Sequence, residues 1–227
     1  MALFWQATGL ASIILSAMVI WNALRNGFFR FSPAVVLYCA IVLASDFPSF
    51  IALVEPGWLF PKRHQYVIFY WTCEATLQLA TFALIVGLLA RLLPYPGRWV
   101  YLSLAALAST VVMATLAYLS GSEVVSLSGV MTPLIRNLTF VAALLNLVLW
   151  SLILRTHPVD RLLLLVAAGA GLLTAGKTIG HAMRWLAGVD PNIVLAGNVV
   201  IVVTGVISLL VWWQASRQLK NLTITVP

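Results

Sequence analysis

Apolar residues fall into seven long runs, at residues 3–24, 34–54, 66–91, 99–119, 132–154, 162–187 and 193–215. Crossing the hydrocarbon of a bilayer takes about 20 apolar residues at the helical rise of about 1.5 Å. Every backbone N–H and C=O in such a run must be paired without water, and a helix does this within its own segment. The gaps hold chemistry that ends helices: Glu55-Pro56-Gly57, Pro94-Tyr95-Pro96-Gly97-Arg98, Thr156-His157-Pro158 and Asp190-Pro191-Asn192. The pattern predicts an all-α integral membrane protein, a single transmembrane domain over 1–227 folded as a seven-transmembrane-helix bundle. The gaps are too short for a soluble domain, and no internal repeat is evident. The first run is read as a retained helix, because Met1–Gln6 has no basic residue and the run from Leu3 to Leu24 exceeds a leader's apolar core.

Composition strengthens this reading. Hydrophobic residues make up 62% of the chain and charged residues 8%, whereas a soluble domain carries roughly a quarter charged residues. The formal net charge of +7 would suggest nucleic acid in a soluble protein. Here Arg25, Arg30, Arg91, Arg98, Arg155, Arg161, Arg217 and Lys220 lie on one side of the seven runs, and nucleic acid is not an expected partner. The other side has Lys62 and Arg63, with Arg136 and Arg184 near helix ends. Basic residues concentrate in cytoplasmic loops, so the N-terminus is expected outside, the C-terminus in the cytoplasm, and the chain in a bacterial cytoplasmic membrane. Tryptophans mark both boundaries: Trp21, Trp99, Trp150, Trp212 and Trp213 on the inner side, Trp5, Trp58 and Trp185 on the outer.

Ionisable residues within a span are costly and point to function. Asp46, Glu74 and Lys177, in the second, third and sixth runs, each fall roughly 12–15 Å below the outer boundary. Tyr70, Glu74, Gln78 and Thr81 share one helical face, as do Thr174, Lys177, His181 and Arg184. Gly176 and Gly180 form a GxxxG pair that allows a neighbouring helix to approach closely. Pro48 frees backbone polarity beside Asp46. Arg136 and Asn137 in the fifth run and Asn198 in the seventh are shallower, while the inner halves of runs three, four and six are almost all Leu, Ala, Val and Gly. An outward-facing polar cavity is therefore expected, with Asp46, Glu74, Gln78, Arg136, Lys177, His181 and Arg184 as candidate ligand-binding residues. Bases outnumber acids among them, which favours a small polar or anionic ligand. Two other readings stand beside it: a buried ion pair that fixes helix register, and a proton or ion relay.

Other chemistries find little purchase. A lysine facing a carboxylate in a seven-helix bundle resembles the rhodopsins, but their retinal lysine lies in the seventh helix, and the run from Ile193 has no lysine before Lys220. Haem would need axial ligands, and His64 and His181 are the histidines on the outer side. His64 reads as a solvated loop residue beside Lys62 and Arg63, and His157 as an isolated turn residue. Cys39 and Cys73 lie at different depths and read as separate thiols. No Ser–His–Asp set, HExxH or phosphate-binding loop is present, so neither enzymatic activity nor a metal or cofactor is expected. The sequence supports three functional classes. These are a ligand-binding or sensory module signalling through helix contacts, a structural or assembly subunit of a larger membrane complex or homo-oligomer, and a small transporter or proton-conducting protein.

Overall fold

The computed structural model describes residues 2–54, 63–92, 127–155, 160–186 and 190–223. The helices are α1 (Ala2–Asn26), α2 (Phe28–Phe31), α3 (Pro33–Val54), α4 (Arg63–Leu92), α5 (Leu127–Arg155), α6 (Arg161–Leu186) and α7 (Pro191–Thr223). Except for the four-residue α2, each is long and apolar enough to cross a bilayer, which makes this a polytopic membrane protein with six such spans among the described residues. They correspond to runs one, two, three, five, six and seven. The fourth run, 99–119, lies outside the described residues.

Helix ends follow local chemistry. Asp160 accepts a hydrogen bond from the Leu162 amide at 2.8 Å, and Asp190 accepts one from the Asn192 amide at 2.9 Å. Both carboxylates cap helix starts, at α6 and α7, where amides have no intrahelical partner. Pro191 opens α7, at the position where its missing N–H costs nothing. Between α1 and α3 the chain reverses at Gly27, whose φ of 75° a side-chain-bearing residue rarely adopts. The single turn of α2 then buries Phe28 completely, and Pro33 begins α3. Three boundaries differ most from the sequence reading, the first being α5, which begins at Leu127 instead of 132. His64 lies in the first turn of α4, where it is exposed, and α7 continues to Thr223 instead of stopping at 215.

The packed neighbours form a closed ring in the order α1, α3, α4, α5, α6, α7, with α4 also touching α6 across it. The seam between α6 and α7 is the most extensive. Lipid is as apolar as leucine, so close packing, not water exclusion, holds spanning helices together. Small residues permit this approach. A side chain on Gly180 would collide with the Gly197 carbonyl and Ile201, and one on Gly176 with Thr204.

One end of the ring gathers Arg25, Arg91, Asp160 and Arg217. Arg91 lies 4.5 Å from the centroid of the Phe31 ring, and the Asn26 amide donates to the Ser216 carbonyl at 3.2 Å. This is called the basic end below. Trp212 was expected at a membrane boundary but is fully buried near it. Its indole N–H donates to the Val166 carbonyl at 3.1 Å, it fills the space over Gly169, and Tyr38 meets it edge-on at 5.3 Å between ring centroids. Trp21 and Trp185, at opposite ends, are exposed as interfacial residues should be.

Candidate functional site

Toward the end opposite the basic one, α1, α3, α4, α6 and α7 enclose a cavity of about 430 Å³. Asp46, Glu74 and Lys177 all line it, so three charges from separate helices share one space. The depth estimate from the sequence anticipates this meeting. α3 contributes Asp46 from just before Pro48, a proline inside the helix. Pro48 has no N–H to offer the preceding turn, so backbone polarity is freed beside the carboxylate. The Ser45 and Ser49 hydroxyls donate to the Val42 and Ser45 carbonyls at 3.0 and 2.8 Å, and the carboxylate is left to find a partner elsewhere. That partner is Ser12 of α1, whose hydroxyl donates to Asp46 Oδ2 at 2.5 Å.

Lys177 is 5% exposed. Its Nζ lies 4.0 Å from Glu74 Oε1 and has no hydrogen-bond partner among the described residues. A strong ammonium–carboxylate hydrogen bond is about 2.8 Å long, so charge attraction joins this pair and the ammonium's three donors stay open. The cavity thus holds one carboxylate tied to a hydroxyl and one loosely paired ammonium–carboxylate couple. Trp5, Tyr38, Phe50, Tyr66 and Tyr70 supply aromatic walls. Its lining toward the basic end is mostly aliphatic, with Val42, Leu77, Leu173 and Leu209 beside Tyr38.

The other candidate residues lie elsewhere. Gln78, one turn beyond Glu74, is fully buried with neither amide atom hydrogen-bonded, and it does not line the cavity. His181, Arg184 and Arg136 also lie outside the lining. They form a second group nearer the end of the bundle, where His181 sits in the field of Glu74, Arg184, Lys177 and Arg136. Arg184 lies in the electrostatic reach of Tyr70, and Arg136 lies 5.6 Å from the centroid of the Trp185 ring. The His181 Nε2 is buried without a partner. Tyr70 belongs to both groups, since it lines the cavity and shares the field of Arg184.

Sequence reasoning missed the α1 and α7 walls, including Trp5, Ser12, Ile201, Val202 and Gly205. Nothing in two almost uniformly apolar runs marks which face meets the charges. Cys39 and Cys73 are both free thiols, Cys39 buried. Among the described residues no group of three or more His, Cys, Asp or Glu could hold a metal ion. Comparison with known proteins finds no matching family model, no similar curated protein and no similar solved structure.

Proposed function

We propose that this membrane protein binds a small polar ligand in the cavity between α1, α3, α4, α6 and α7, and passes its occupancy on through helix contacts. The observation that carries the reading is Lys177, a buried ammonium without a hydrogen bond among the described residues, which lines a cavity shared with Glu74 and Asp46. Burying ionisable groups is expensive unless something compensates them, and a ligand acceptor on Lys177 would do so. The lining holds two carboxylates, one ammonium and five aromatic rings. It suits a molecule with an acceptor for Lys177 and a donor or cationic group for Asp46 and the rings. The bases that favoured an anionic ligand, Arg136, His181 and Arg184, would act on its approach instead of its seat. On the charge bias of the loops, the basic end faces the cytoplasm of a bacterial cell and the cavity opens outward.

A thermal-unfolding screen of purified protein in detergent against a panel of polar amino acids, amines and short carboxylates tests this. At 100 times its Kd, a ligand stabilises its protein by about 2.7 kcal/mol, a shift of a few degrees for a chain of this size. The expected result is a compound that shifts wild type but not Lys177→Met or Asp46→Asn. A panel that leaves wild type unmoved, or moves the variants equally, defeats the proposal.

The register-fixing ion pair is the second reading, supported by the 4.0 Å approach of Lys177 to Glu74. A transporting or proton-conducting role would need polar lining toward the basic end, where Val42, Leu77, Leu173 and Leu209 stand.

A further inference from the structure

At the basic end, two adjoining concavities lie along α1 and α7 and share Asn22, Trp213 and Arg217. The first, about 870 Å³, carries Arg25, Asn26, Gln214 and Gln218 around the shared residues, with Ile207, Leu210 and Val211 completing its wall. The second, about 620 Å³, is apolar and runs up α1 past Trp21, Met18, Ala17 and Ile13. Ile13 is twelve residues from Arg25, or about 18 Å along the helix, which is more than half the thickness of the hydrocarbon. The groove therefore gathers its cationic and amide side chains at one end and presents apolar ones, Trp21, Met18, Ala17, Ile14 and Ile13, over the length of an acyl chain.

Among the described residues nothing compensates its charge. No carboxylate lines either concavity, and neither arginine pairs with one among the described residues. Arg217 is held in place over the Trp213 ring, 4.9 Å from its centroid. The Asn26–Ser216 hydrogen bond ties the two helices together at the polar end. We infer that this groove is a binding site for one anionic phospholipid. Arg25 and Arg217 take the phosphate, the Asn and Gln amides the glycerol and headgroup oxygens, and the Trp21–Ile13 face an acyl chain. Guanidinium groups match phosphate oxygens in pairs, and basic residues at the membrane surface favour anionic lipid individually. The site is independent of the polar cavity and of which leaflet the basic end faces.

Native mass spectrometry of the purified protein, titrated in detergent with dioleoyl phosphatidylglycerol or dioleoyl phosphatidylcholine, tests the assignment. The expected result is one tightly retained phosphatidylglycerol, preferred over phosphatidylcholine by roughly tenfold or more. Arg25→Gln/Arg217→Gln should abolish the preference, and Ala17→Trp, which blocks the apolar limb, should weaken retention of both lipids. Arg155→Gln, an exposed arginine on α5, should change nothing. Equal retention of the two lipids by wild type overturns the inference. So does an unchanged preference in the double variant, or a groove filled by a second copy of the chain, seen as a lipid-free dimer that Ala17→Trp dissociates.

Discussion

Ser12 and Thr8 show how much a single hydroxyl reveals. Thr8 donates to the Phe4 carbonyl of its own helix at 2.9 Å, as a hydroxyl in an apolar helix ordinarily does. Ser12, one turn later, instead reaches Asp46 on α3. The sequence does not distinguish them, because either residue could satisfy itself locally. Asp46, Glu74 and Lys177 were legible for the opposite reason: a charge has no local solution inside a span, and its depth can be counted from the helix end. The same counting puts the surplus bases nearer the outer end than the three charges. Arg184 is seven residues beyond Lys177, about 10 Å farther along the helix, where it lies in the electrostatic reach of Tyr70 and outside the cavity lining. The Lys177–Glu74 couple carries a prediction at this scale. Glu74→Gln strands a buried ammonium and should destabilise the fold by about 3–5 kcal/mol, whereas Glu74→Gln/Lys177→Met should recover most of that loss. Chemical unfolding of the single and double variants in detergent checks it. A double variant no more stable than Glu74→Gln would show that the two charges do not depend on each other.

At the scale of elements, boundaries were readable where Pro falls between the apolar runs. Asp190 and Pro191 start α7 where the sequence puts a break, whereas the Asp160 cap and the reversal at Gly27 emerge only in the fold. The partners of each helix were not readable. A helix in a soluble protein shows its buried face as an apolar stripe, but in a bilayer both faces are apolar and the stripe disappears. Gly176 and Gly180 were an exception, since small residues at that spacing mark an interface whatever the solvent, and α7 fills it. The seam can be tested by adding atoms. Gly180→Val sets side-chain carbon against the Gly197 carbonyl, backbone that cannot swing away, and should destabilise by about 1–3 kcal/mol or more. Gly205→Ala, on α7 with open space around it, should be neutral within about 0.5 kcal/mol. Equal unfolding midpoints for the two variants would mean that α6 and α7 are not packed this closely.

For the whole molecule, the composition and the seven runs established a helical membrane protein, and six spans are present among the described residues. The direction in which they thread the bilayer rests on loop charge alone. Replacing Cys39 and Cys73 with alanine and adding either His64→Cys or Gln218→Cys places one thiol near each end of the bundle. With the basic end in the cytoplasm, a membrane-impermeant maleimide applied to intact cells should label His64→Cys and spare Gln218→Cys until the cells are opened. The reverse pattern would invert the topology and turn the cavity inward. The glycine seam also has a mechanical consequence. Backbone packed on backbone cannot loosen by small side-chain adjustments, so α6 and α7 act as a stator. The freedom left to the bundle lies on its other side, where α3 carries Pro48 within the helix and meets α4 across a much smaller seam.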